Sequence, residues 1–152
     1  MAVIMFRQAQ ASDIEAIVGL LADDELGRRR EVLSSPPDPQ YLAAFDAIAA
    51  DRNQLLAVAI EQGAVIGTLQ LSFIPGMARR GAWRGQIEAV RIAAHRRSGG
   101  VGQQMFEWAI AACRARGCAM VQLTTDKARP DAHRFYEKLG FVASHEGFKL
   151  LF

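Results

Sequence analysis

Residues Arg96 to Gly102, Arg-Arg-Ser-Gly-Gly-Val-Gly, set two side-chain cations and three glycines at the start of a helical pattern. That combination suits phosphate. Gly99, Gly100 and Gly102 let the backbone approach a ligand without Cβ clashes, and a helix start presents unpaired N–H groups and the positive end of its dipole. Arg96 and Arg97 add positive charge, and Ser98 and Val101 complete the cradle. Taken alone, the loop fits equally well a glycine-rich turn with two solvated arginines, because short motifs of this kind recur by chance.

Such a loop must be delivered by one element and carried away by another. Gln86–Ala93 reads as the delivering strand. The pattern Val101–Arg116 reads as the helix, with Val101, Met105, Trp108, Ala109, Ala112 and Cys113 on its buried face and Gly117 as C-cap. Ala119–Thr124 follows as an apolar strand of the kind buried on both faces of a sheet. The strand–helix–strand crossover over 86–124 is expected to be right-handed, with its two strands parallel.

Upstream, Val3–Arg7 reads as a first strand. Ser12 and Glu15 form a capping-box pattern before a helix carrying Ile14, Ile17, Val18 and Leu21. Residues 24–38 read as a loop or broken helix. Asp38-Pro39 then starts a second helix whose buried face is Tyr41, Leu42, Phe45, Ile48 and Ala49. Leu55–Glu61 and Val65–Phe73 are two strands joined by Gln62-Gly63. Downstream, Asp131 caps a short helix over 132–139 closed by Gly140, and Phe141–Ala143 with Phe148–Phe152 form a terminal hairpin. Helices fall on both faces of one mixed sheet.

Composition narrows the class. A chain of 152 residues suits one domain spanning 1–152, and 51% hydrophobic with 22% charged residues is ordinary for a globular protein. The net charge of +2 is too small to imply nucleic-acid binding by itself. Cys113 and Cys118 lack metal-ligand company and read as free thiols, so no metal is expected and a reducing cytoplasm is. The N-terminal segment lacks a signal-peptide pattern, and no apolar stretch reaches membrane-spanning length.

Two stretches together carry a family resemblance. Val90-Arg91-Ile92 followed by Arg97-Ser98-Gly99-Gly100-Val101-Gly102 resembles the acyl-coenzyme-A pattern of the GNAT superfamily of N-acetyltransferases, Gln/Arg-x-x-Gly-x-Gly/Ala after a strand. Ala132-His133-Arg134-Phe135-Tyr136-Glu137-Lys138-Leu139-Gly140-Phe141 is similar to that superfamily's later motif. The resemblance covers the whole chain. It implies an α/β (α+β) GNAT-like acyl-CoA N-acyltransferase fold, with a mixed, mostly antiparallel sheet of about seven strands and a splayed parallel pair.

It also implies a chemistry. Acetyl-CoA is the expected co-substrate, its pantetheine pairing with the backbone of Val90 and Ile92 and its pyrophosphate lying on Arg96, Arg97, Ser98, Gly99, Gly100, Val101 and Gly102. Glu88 stands where the superfamily often carries a general base. Strict alternation would put Glu88 on the same face as Val90 and Ile92, and a β-bulge near Ala89, common in this strand of the superfamily, would turn it towards substrate. The bland alternative is an exposed edge-strand glutamate. Tyr136 matches the general acid that protonates the departing thiolate, its alternative being a packing residue beside Phe135.

The acceptor implied is a primary amine on a small molecule or peptide. Its charge is left open: Asp23-Asp24-Glu25 would suit a cationic amine, whereas Arg79, Arg80 and Arg84 would attract an acidic one. The apolar terminal strand allows a homodimer. A non-catalytic coenzyme-A-binding or sensing module is the second function class, with Glu88 and Tyr136 then structural.

Overall fold

The computed structural model describes residues 2–152, and the Pro130 side chain is not among the described ones. The elements in order are β1 (Ile4–Gln8), α1 (Ile14–Leu21), α2 (Glu25–Arg30), α3 (Pro39–Ala50), β2 (Gln54–Glu61), β3 (Ala64–Ile74), α4 (Ala78–Gly81), β4 (Arg84–Ile92), α5 (Val101–Ala115), β5 (Met120–Leu123) and α6 (Pro130–Lys138). Short 3-10 turns precede α1 and α5. The chain divides into two compact units, one ending at Gln122 and the other running Leu123–Phe152.

The sheet order is β1-β2-β3-β4-β5, with β1 to β4 joined as antiparallel neighbours. Ala119 N donates to Trp83 O, and Gln122 Nε2 donates to Gln86 Oε1. These two contacts advance together along both chains, so β5 runs parallel to β4, as the crossover requires.

Helices cover both faces of this sheet. On one, α5 buries Val101, Met105, Phe106, Ala109 and Cys113, and Trp108 stacks on Phe6 at 6.2 Å between ring centroids. On the other, Ile17 of α1 packs with Val58 and Ile60, and Leu21 and Phe45 close over them. Gly85 explains how closely α5 approaches β4. A Cβ there would lie 2.2 Å from Cys113 Sγ, so only glycine lets the helix that opens at the glycine loop seat on the strand.

Several expectations are corrected. Among the described residues the sheet has five strands, not about seven. Residues 141–152 form no strand, and Val142, Phe148, Leu150, Leu151 and Phe152 are all exposed. Apolar residues at both parities gain no buried face within the chain there, which removes the reason for a strand to pair.

β5 is half-buried rather than buried on both faces, because it is the last strand in the order. None of the α3 face is fully buried; Tyr41, Phe45 and Ile48 are half-covered, and Leu42 and Ala49 are exposed, since α3 packs chiefly on β2 near the sheet margin. Residues 24–38 include the short helix α2, capped by Asp24 accepting from Gly27 N. Asp38 does cap α3, with Pro39 in its first turn.

The cap expected at the first helix lies two residues earlier. The capping box falls at Gln10 and Asp13, not at Ser12 and Glu15: Asp13 accepts from the Gln10 N–H at 2.7 Å in the 3-10 turn Ala11–Asp13 that precedes α1. Asp13 also takes a two-pronged contact from Arg7, Nη1 at 2.7 Å and Nη2 at 3.1 Å. That hydrogen bonding holds the Asp13 carboxyl below the ordinary aspartate range and raises the Arg7 guanidinium.

Candidate functional site

The site builds outward from β4. Its ladder with β3 pairs Gln70 with Glu88 and Thr68 with Arg91, so Leu69 alone faces both Ala89 and Val90. Two residues against one is a β-bulge, and Ala89 carries it at φ 53°. The expected bulge is therefore present where the sequence placed it, and it resolves the alternation problem.

Gly85 and Ile87 face α5, while Gln86 and Glu88 face the other way. Beyond the bulge the parity flips. Ile92 returns to the α5 side, its Cδ1 against Gly67, and Arg91 takes the face of Glu88, where its Nε lies 3.6 Å from Asp24 Oδ2. Glu88 is exposed, and Val90 and Ile92 are half-buried. The bulge interrupts the ladder and leaves main-chain groups beside Glu88 without their strand partner.

Glu88 has company the sequence reading missed. Gln86 Nε2 donates to Glu88 Oε1 at 2.8 Å, and Gln122 Nε2 donates to Gln86 Oε1 at 2.9 Å. On the same face, Ser72 Oγ and Gln70 Nε2 both donate to Gln54 Oε1, at 2.9 and 3.0 Å. Four strands thus lay a floor of amides and a hydroxyl where a core would be apolar. The i, i+2 spacing of Gln70-Ser72 and Gln86-Glu88 was the available signal, since it puts polar groups on one face of paired strands.

The glycine loop follows β4 directly. Ala94–Arg96 make one 3-10 turn, Ser98 and Gly100 take left-handed backbones at φ 65° and 81°, and Val101, 1% exposed, anchors the start of α5. Ser98, Gly99 and Gly100 are exposed, and Gly102 is half-buried in the first turn of the helix. The N–H of Gln104 donates to Gly100 O at 3.1 Å; those ahead of it are the donors a helix start leaves for a ligand.

The two arginines are not idle. Arg96 Nη2 pairs with Glu61 Oε1 at 2.8 Å. Arg97 donates to Ile92 O and Asp23 O, and its Nη2 lies 3.5 Å from Asp23 Oδ2. The Arg97 pair is about half-exposed on both sides and weak, so phosphate can compete for it; the Arg96 pair is shorter and better covered.

Tyr136 lies in the second unit, on α6. Its half-buried ring meets Phe135 at 5.6 Å and Phe141 at 6.1 Å, both edge-on, and its carbonyl accepts from the Phe141 N–H. The helix starts at Pro130, one residue ahead of the expected Asp131 cap. Cys113 is fully buried, and burial pushes its thiol up to about 11, which removes it as a nucleophile near neutral pH. Among the described residues no cluster of metal-ligating side chains occurs, and no helix is long and apolar enough to cross a membrane.

A strand interrupted by a bulge leads through a glycine loop into a helix whose start leaves N–H donors for an anionic ligand. The acetyltransferase (GNAT) family model matches residues 19–141, and the chain belongs to that family. It is an acyltransferase enzyme. An aminoalkylphosphonate N-acetyltransferase of Salmonella typhimurium is 28% identical over 146 residues, covering 95% of this chain and 89% of the relative. A crystal structure of a transcriptional regulator from Bacillus halodurans C-125 is 47% identical, covers 99% of this chain and 100% of its own, and superposes with a TM-score of 0.96. Glucosamine-6-phosphate N-acetyltransferase of Arabidopsis thaliana, 21% identical with 99% of each chain covered and a TM-score of 0.80, shares the fold.

Proposed function

We propose that this enzyme moves an acetyl group from acetyl-CoA to a primary amine by direct attack in a ternary complex. The observation that carries the reading is the Ala89 bulge, which lets Glu88 lie on one face of β4 and Ile92 on the other, with Glu88 four residues from the end of the strand that feeds the glycine loop. The residues fit the co-substrate: open N–H groups over Ser98–Gly102 for the pyrophosphate, Arg97 free to exchange Asp23 for a phosphate, Arg96 beside it, and main-chain groups at Val90 and Ile92 for the pantetheine amides.

Glu88 is the proposed base. An alkyl ammonium with a pKa near ~10.4 is about one part in a thousand neutral at pH 7, so a carboxylate that takes its proton, directly or through water, raises the reactive fraction. The amine nitrogen then bonds to the acetyl carbon, the oxyanion is met by a main-chain N–H near Val90, and the carbon–sulfur bond breaks as the thiolate leaves. Tyr136 is the proposed donor of the proton to that sulfur, a role that rests on its match to the later motif. The aminoalkylphosphonate used by the Salmonella relative supplies the first acceptor class to try. A reducing cytoplasm remains the compartment we propose, on the free thiols Cys113 and Cys118.

A second reading, a coenzyme-A-binding module without turnover, draws on the description of the Bacillus halodurans relative as a transcriptional regulator. One experiment separates them. Purified protein with acetyl-CoA is screened against a panel of primary amines with detection of released thiol. Release with at least one amine, abolished by Glu88→Gln, supports the enzyme; tight acetyl-CoA binding in calorimetry with no release for any amine supports the module.

A further inference from the structure

The chain between Glu61 and Glu88 holds no acidic residue, yet it carries Arg79, Arg80 and Arg84. These three lie in and beside the connection from β3 to β4. Arg79 at φ 55° and ψ 41°, Arg80 at φ 61° and ψ 42°, and Gly81 at φ 74° make one turn of left-handed helix, closed by Gly81 N to Met77 O at 3.2 Å and Ala82 N to Ala78 O at 3.3 Å. L-residues reach that conformation only at a cost, so glycine or asparagine is the expected occupant. Arginine stands there twice.

Arg84 is half-buried, with its Nη1 over Gly76, and among the described residues it makes no ion pair and no side-chain hydrogen bond. The half-buried Arg7, Arg91 and Arg96 each have a carboxylate. Arg84 shares the face of Gln86 and Glu88, the amide floor described above. At a strand rise near 3.3 Å per residue, its Cα is about 13 Å from that of Glu88 and about 26 Å from that of Ile92, where the glycine loop begins. It is thus at the far end of β4 from the loop and cannot serve the same phosphate.

We infer that Arg84, backed by Arg79 and Arg80, binds the anionic end of the acceptor, so that the substrate class is a small primary amine bearing a phosphonate, phosphate or comparable anion. The amine then lies toward Glu88, the middle of the molecule crosses Gln86, and the anion meets unpaired guanidinium groups that can grip it by two N–H donors at once. This rests on the acetyltransferase reading above.

The test compares an ω-aminoalkylphosphonate with the neutral amino alcohol of equal chain length, in acetyl-CoA assays of wild type, Arg84→Ala, and Arg79→Gly/Arg80→Gly. The glycine pair suits the left-handed turn, so it keeps or raises Tm and separates recognition from folding. The expected result is a wild-type kcat/KM preference for the phosphonate of roughly 10- to 100-fold, carried in KM, lost in Arg84→Ala and reduced in the glycine pair, with the neutral amine and acetyl-CoA affinity unchanged. Equal use of both amines by wild type, or an equal fall for both in Arg84→Ala, overturns the inference and leaves the acetyltransferase reading standing. If neither amine turns over, calorimetry with methylphosphonate decides. Binding that Arg84→Ala abolishes supports the anion site even as the choice of amine fails, and no binding overturns it.

Discussion

Ala89 is the residue on which the placement of Glu88 relative to Val90 and Ile92 depends. At φ 53° it pays the left-handed penalty of an L-residue, about 1–2 kcal/mol. Ala89→Gly removes that penalty and returns about 0.5–1 kcal/mol as unfolded-chain entropy, so the variant is expected to gain up to about 1 kcal/mol, or about 2–4 °C in Tm for a chain of this size. Ala89→Val brings a β-branched side chain to the same backbone, where positive φ is a true outlier.

The valine variant either keeps the bulge with added strain, a loss of about 1–3 kcal/mol, or irons it out. Ironing it out slips the ladder by one residue and exchanges the faces of Glu88 and Ile87, or of Arg91 and Ile92. Either way Glu88 and the Val90 N–H lose their relative placement, and kcat/KM for amine acetylation should fall about 10- to 100-fold. The glycine variant should stay within a few-fold of wild type. Thermal unfolding and thiol release on the same samples check both. A valine variant as stable and as active as wild type, or a glycine variant less active than the valine one, would refute the role assigned to the bulge.

Gly85→Ala places a methyl group on Cys113 Sγ and should cost about 1–3 kcal/mol with weaker acetyl-CoA binding; most of that loss should return in Gly85→Ala/Cys113→Ala, as a denaturation double-mutant cycle would show. Tyr136→Phe should lower turnover far more than acetyl-CoA affinity, whereas unchanged turnover would confine Tyr136 to its ring contacts with Phe135 and Phe141. Since Arg7 holds the Asp13 carboxyl below its unfolded value, that pair stabilises the fold above the unfolded carboxylate pKa near ~3.9 and is lost as pH falls through the lower folded value; Asp13→Asn should flatten the stability profile in that acid window, read by urea unfolding from pH 5 to 2. A Cys113→Ala/Cys118→Ala double variant should still acetylate, because the buried Cys113 thiol, raised to about 11, supplies no thiolate at neutral pH.

The local features were legible in the sequence because their causes are local. Glycine spacing and the 3.6-residue rhythm of Val101, Met105, Ala109 and Cys113 mark the loop and its helix, Gly63 and Gly117 take the turn and cap conformations that glycine favours, and two short motifs in order point to the family. What required the tertiary structure was every property set by a partner from elsewhere in the chain. Glu88 and Ile92 lie on opposite faces because Leu69 of a neighbouring strand opposes two residues instead of one. Arg96 and Arg97 meet Glu61 and Asp23, far away in sequence, while among the described residues Arg84 meets no acid. Phe141–Ala143 and Phe148–Phe152 read as a terminal hairpin, yet strands exist only where a neighbour pairs them and a core buries one face; among the described residues neither segment is a strand, and all but Phe141 are exposed. Composition and periodicity are fixed by the chain; register, charge partnership and burial are settled only when distant segments compete for the same surface.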